Sequence, residues 1–189
     1  MAKATAFFNT GWPRDPKDTL NTPFQILYYY ENHKGEPQLN FTIPPGTILY
    51  VPILYSDDTP PVLWHFSDVS DRAAVWNYFY SPAELGNVSI AIGVDGILNP
   101  LGQDYVVGVG SVTLGDGPGG IKEPRTGNYI VAAVFLTPLD KGEHKVGFYS
   151  KCTGSAPKHY LRDYPDIAKT FISPNGTWEG SLTYTVTVK

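Results

Sequence analysis

Val88-Ser89-Ile90-Ala91-Ile92-Gly93-Val94-Asp95-Gly96 is the stretch on which the fold class turns. Val88, Ile90, Ile92 and Val94 fall on every second residue, the period of a strand with one face against a core. Asp95-Gly96 is a pair that tolerates positive φ at low cost, so the strand should close in a tight hairpin turn. The next strand is expected to run through Tyr105, Val107 and Val109.

The same two signals, alternation and turn chemistry, recur on either side. Phe24 to Tyr30 is a dense apolar and aromatic run closed by Asn32-His33-Lys34-Gly35. Leu39, Phe41 and Ile43 then alternate up to Pro44-Pro45-Gly46, and Thr47 to Tyr55 is apolar on both faces, as a central sandwich strand would be. Pro52 lacks an N–H for the ladder and so predicts a bulge or an edge position. Towards the C-terminus, Gly115 to Gly127 reads as a surface loop and Tyr129 to Leu136 as a strand. Asp140-Lys141-Gly142 turns the chain, Lys145 to Tyr149 returns, and Leu182, Tyr184, Val186 and Val188 end it. Residues 150–177 read as irregular, with a short helix near Tyr164 to Lys169.

One substantial helix interrupts this pattern. Ser67 or Ser70 offers an N-cap, Asp68 and Asp71 suit the first turn, and Val69, Ala73 and Trp76 share a face, so the helix is expected around residues 67–80. Ser81-Pro82 to Gly86 reads as one further helical turn. At least eight strands remain, too many without intervening helices for a parallel sheet. The expectation is an all-β fold, a β-sandwich of jelly-roll-like or immunoglobulin-like type with one inserted helix. Residues 1–22 read as an irregular N-terminal arm and residues 23–189 as a single β-sandwich domain.

Composition narrows the function classes. A formal charge of −4 without a Lys/Arg cluster gives no footprint for phosphate backbones, so nucleic acid is not an expected partner. No apolar run reaches the ~20 residues of a membrane span, and Met1 to Ala6 lacks the apolar centre of a signal peptide. The single cysteine, Cys152, excludes an intrachain disulfide and leaves the compartment open. Glycosylation-type triplets begin at Asn40, Asn87 and Asn175, of which Asn40 and Asn87 fall in or beside strands.

Three stretches carry a resemblance. They are Ile43-Pro44-Pro45-Gly46-Thr47 running into Tyr50-Val51-Pro52-Ile53-Leu54, then Val94-Asp95-Gly96, then Pro138-Leu139-Asp140-Lys141-Gly142-Glu143-His144-Lys145-Val146, with Leu182 to Val188 after them. Over residues 40–189 this resembles an uncharacterised group of mostly bacterial, predicted-secreted β-sandwich proteins. That group combines a Pro-x-Gly strand, a Val-Asp-Gly hairpin and a Pro-Leu-x-x-Gly-Glu-His turn. The resemblance implies a sandwich and a secreted or periplasmic setting, with no known activity. A Gly-Glu-His turn also occurs in immunoglobulin-like domains, which implies a structural role for His144.

Motifs of dedicated enzymes are absent: there is no Gly-x-Ser-x-Gly, His-Glu-x-x-His or Cys-x-x-Cys. No catalytic residue is therefore assigned. Cys152 could act as a nucleophile with Lys151 stabilising its thiolate, against the alternative of an inert thiol in a loop. The densest set of polar groups beside bulky apolar ones is Asp57, Asp58, Trp64, His65, Asp68 and Trp76, with Asp71 nearby. On a loop and a helix start these residues could converge on a hydroxylated ligand or a divalent cation, although capping and turn chemistry also account for the acids. The sequence names no cofactor and leaves a metal open. Trp12, Trp64, Trp76 and Trp178, with Tyr28 to Tyr30, Tyr78 and Tyr80, could offer stacking faces or fill the core. The leading reading is a non-enzymatic binding or interaction protein for a glycan or small organic ligand, met at a sandwich face or rim. A small enzyme using the Asp and His cluster, with or without a metal, is the alternative, and a self-associating structural or surface-assembly protein is the third.

Overall fold

The computed structural model describes residues 22–28, 39–58, 66, 68–114, 125–170 and 172–189. The arm up to residue 21, the turn at 32–35, the loop at 115–124, and Trp64, His65 and Ser67 lie outside them.

The strands are β1 (Gln25–Ile26), β2 (Asn40–Ile43), β3 (Leu49–Asp57), β4 (Asn87–Val94), β5 (Ile97–Pro100), β6 (Val106–Leu114), β7 (Arg125–Leu136), β8 (Gly142–Cys152) and β9 (Trp178–Val188). They form a four-stranded sheet in the order β1-β3-β7-β6 and a five-stranded sheet in the order β2-β9-β8-β4-β5. The expected all-β sandwich with an inserted helix is therefore the architecture. Helix α1 (Arg72–Tyr80) follows β3, while α2 (Ser155–Asp163) and α3 (Pro165–Ala168) lie between β8 and β9.

Alternation positions the main core. From the five-stranded sheet Ile90, Ile92, Val146, Tyr184, Val186 and Val188 point inward, and from the other Leu49, Val51, Ile53, Ile130, Ala132 and Val134 meet them. A smaller cluster of Ile26, Tyr28, Tyr50, Val131 and Ala133 occupies the opposite face of the four-stranded sheet, which explains why β3 and β7 read as apolar on both sides. The expected irregularity at Pro52 is a bulge: the register against β7 shifts between Pro52 and Leu54. Its consequence is a change of parity. Leu54 joins the main core although Ile53 already faces it, and Ser56 is turned toward α1, where its hydroxyl meets that of Tyr78 at 2.9 Å.

Several expectations need correction. The hairpin after Asp95-Gly96 returns through Ile97–Pro100, whereas Val107 and Val109 belong to β6 in the other sheet and Tyr105 ends a short 3-10 turn just before it. The sequence signal failed because β5 is wholly exposed and so lacks an alternating core face. Strand β7 begins at Arg125, inside the expected loop, and α2 occupies a stretch read as irregular. Helix α1 is capped by Asp71, whose side chain accepts from Ala73 N, whereas Ser70 donates through both its N–H and its hydroxyl to Asp68. Its buried face is Val75, Tyr78 and Phe79. Burial of the fully enclosed Phe79 contributes about 2–3 kcal/mol.

Two glycines fasten the insertion to the sandwich. Segment 82–86 runs beside residues 153–156 through four backbone hydrogen bonds, from Thr153 N to Gly86 O, Gly154 N to Leu85 O, Ser155 N to Pro82 O and Ala156 N to Glu84 O. A Cβ on Gly154 would stand 2.1 Å from the Glu84 carbonyl oxygen, and one on Gly86 would stand 2.5 Å from Gly154 N. Only glycine permits that approach.

Candidate functional site

The acids at the end of β3 have separate fates. Asp58 closes the β3 to β7 ladder: its carboxylate accepts from Asn128 N at 2.6 Å and from Asn128 Nδ2 at 2.9 Å, and its own N–H donates to Asn128 O. Asp57 lies within electrostatic reach of Tyr55, Tyr78 and Tyr160. Burial, reinforced by that carboxylate, pushes the Tyr55 phenol up to about 12. Tyr78 is also pushed up to about 12, mainly by burial, with the Ser56 hydrogen bond opposing the shift.

Farther along, Asp68 is held in its turn by Ser70, hydrogen bonds that lower its pKa. Trp76 lies half-buried on α1, donating from Nε1 to Gln103 O at 3.0 Å, with the Arg72 guanidinium 4.4 Å above its ring. Arg72 is in turn paired with Asp104. Asp58, Asp68 and Trp76 thus each have a structural partner of their own. Trp64 and His65, the centre of the expected pocket, lie outside the described residues. Among the described residues no group of three or more His, Cys, Asp or Glu side chains is arranged to hold a metal ion.

Cys152 sits on the inner face of β8 with no exposed surface, and burial pushes its thiol up to about 11. Lys151 points to the opposite face and pairs with Glu179 at 3.2 Å, so it does not serve the sulfur. Asn87 is buried as well, donating from Nδ2 to Ser150 Oγ and Cys152 Sγ, which makes its triplet a structural one; Asn40 and Asn175 are exposed.

A different constellation lies on the outer face of the five-stranded sheet. Ile90, Ile92, Val146 and Tyr184 face the core, so the intervening residues point outward in cross-strand rows. One row is Gly93, Gly147 and Thr183; the next is Ala91, Tyr149 and Ser181; a third is Ser89, Lys151 and Glu179. Beyond Thr183, Lys145 Nζ donates to Thr185 Oγ1 at 2.8 Å, and Asn40 lies beside Thr185 from β2. The rows are joined at one point, where Tyr149 donates its hydroxyl proton to Glu179 Oε1 at 3.0 Å and Lys151 holds Oε2. These two partners, Lys151 first, hold the Glu179 carboxyl below its usual range. Small side chains beside this triad leave the sheet low, flanked by Leu98 and Pro100 from β5.

Alternation alone could have placed Tyr149, Lys151 and Glu179 on one face, but only once the pairing of β8 with β9 was fixed. A face of Thr, Ser and Lys otherwise reads as ordinary solvated surface.

Comparison of the chain with family models, with curated proteins and with solved structures finds no match in any of the three.

Proposed function

We propose that the protein is a binding or interaction module that recognises a hydroxylated ligand, a glycan or a small polar organic molecule, on the outer face of its five-stranded sheet. The observation that carries this reading is the Tyr149, Glu179 and Lys151 triad on a face whose neighbouring rows hold the small residues Ala91, Gly93 and Gly147. Sugar hydroxyls both donate and accept. A carboxylate fixed by two neighbours supplies acceptor lone pairs in set directions, an ammonium supplies donors, and a tyrosine adds an apolar ring edge with a polar tip. Fixing the groups in advance reduces the ordering cost of binding.

The described groups favour binding over catalysis. Cys152 is buried with its thiol held neutral, and His144 has hydrogen-bond partners on both ring nitrogens. A glycan array probed with the wild-type protein and with Glu179→Gln tests the reading. Specific binding is expected, weakened about tenfold or more by the substitution, because a charge-assisted hydrogen bond contributes about 1.5–3 kcal/mol. Equal signals from both proteins would remove this face from consideration.

A further inference from the structure

The Val94-Asp95-Gly96 hairpin and the Gly142-Glu143-His144 turn meet in space. His144 Nδ1 lies 2.7 Å from Asp95 Oδ2, and its Nε2 lies 2.9 Å from the backbone carbonyl oxygen of Asp140. Asp95 Oδ1 meanwhile accepts from Lys145 N at 2.8 Å, and Asp95 N donates to Lys145 O. An ionised carboxylate and a carbonyl are both acceptors only. A neutral imidazole has a single N–H and can satisfy one of them, leaving its other nitrogen lone pair pointed at oxygen. The imidazolium satisfies both.

We propose that His144 is a pH-operated latch: as an imidazolium it ties the tip of the β4–β5 hairpin to the β7–β8 turn, and loss of one proton releases one of the two ties.

The surroundings agree in sign. The Asp95 hydrogen bond, then that to Asp140 O, raise the pKa of His144; partial burial opposes them, and the Asp95 and Asp140 charges add to the rise. Asp95 is lowered in turn, by His144 first and by Lys145 N–H second. Of the other charged groups close by, Glu143 and Lys145 flank His144 on β8 and pair with each other at 3.2 Å. From β9 the residue opposite His144 is the uncharged Val186. The His144 side chain is 16% exposed and that of Asp95 48%, so solvent screens the pair without separating it.

Linkage fixes the pH window. With the folded pKa of His144 raised, its contribution is fully present below the unfolded value of about 6.5 and is lost as pH rises through the folded value. With the folded pKa of Asp95 lowered, its contribution is present above about 3.9 and is lost as pH falls through the folded value. The latch is therefore strongest in mildly acidic solution and opens toward alkaline pH.

Nitrogen-15 NMR of the wild-type imidazoles from pH 5 to 9 tests this directly. Both ring nitrogens of His144 should lose their joint protonated signature with a midpoint above that of free histidine. A midpoint at or below that of free histidine would overturn the proposal. Thermal melts of wild type and His144→Gln add a second readout. The wild-type advantage should be larger at pH 6 than at pH 9, and an advantage equal at both would also overturn it.

Discussion

At the scale of single residues, what was legible in the sequence was what is local. Asp95 has φ +50° and Gly96 φ +84°, the doubly left-handed turn that the Asp-Gly pair announces, because both turn residues are neighbours in the chain. The partners of Asp58 and Asp95 were not legible: Asn128 and His144 lie seventy and forty-nine residues away, and nothing in the spacing of a carboxylate reveals a distant donor. Glycines 86 and 154 were hidden for the same reason. Gly86 reads as the end of a helical turn, and its φ of +62° agrees, but its contact with Gly154 exists only in three dimensions. That contact yields a prediction. Gly154→Ala forces a methyl onto the Glu84 carbonyl and should cost about 3 kcal/mol. In a chain of this size that lowers the melting temperature by about 6–12 °C. Gly102→Ala, where a Cβ meets nothing within 4 Å, is the control and should melt within about 2 °C of wild type. Equal melting of the two variants would show that segment 82–86 does not pack on residues 153–156.

At the scale of elements, strands with one buried face were readable and those without were not. Strand β4 alternates through Ile90 and Ile92 because one face meets the core, whereas Val88, at the register shift between Asn87 and Ser89, is 61% exposed. Strand β5 exposes every residue, and its sequence carries no period to find. Helix α1 was found from its acids and its length, but its start and its face were misassigned. Of Val69, Ala73 and Trp76, the first precedes the helix and the second is exposed; Val69 and Trp76 pack only partly against the core, and the fully buried set is Val75, Tyr78 and Phe79, set by where β6 and the bulged end of β3 lie. The cap can be tested. Asp71→Ala should destabilise the domain by about 1 kcal/mol, since it removes the acceptor for Ala73 N. Ser70→Ala should change stability by less than about 0.5 kcal/mol, because that hydroxyl bonds Asp68 in an exposed turn outside the helix. Urea titrations of both variants decide it, and a larger loss in Ser70→Ala would move the helix start upstream.

At the scale of the whole molecule, two sheets close around one main core, and the proposed binding face lies on the outside of the larger sheet. Strand β5 is a poor template for another chain's strand on physical grounds. The Asp95-Gly96 turn pairs Val94 with Ile97, and Leu101 N bonds Ile90 O, so Leu98 and Pro100 direct their backbone outward. Pro100 has no N–H to offer there, a common way of blunting an edge. The polar outer face of the five-stranded sheet is the proposed site, through groups fixed on two adjacent strands, β8 and β9. The sequence draws attention to the helix entry at Asp57 to Trp76, because loops and helix starts announce themselves by composition while a sheet face is assembled from distant strands. The two locations separate cleanly by backbone NMR mapping with the best-binding glycan from the array. Binding on the sheet predicts amide shifts concentrated at Tyr149, Lys151, Glu179 and Ser181. Shifts confined to residues 57–58 and 68–76, with β8 and β9 unmoved, would contradict it.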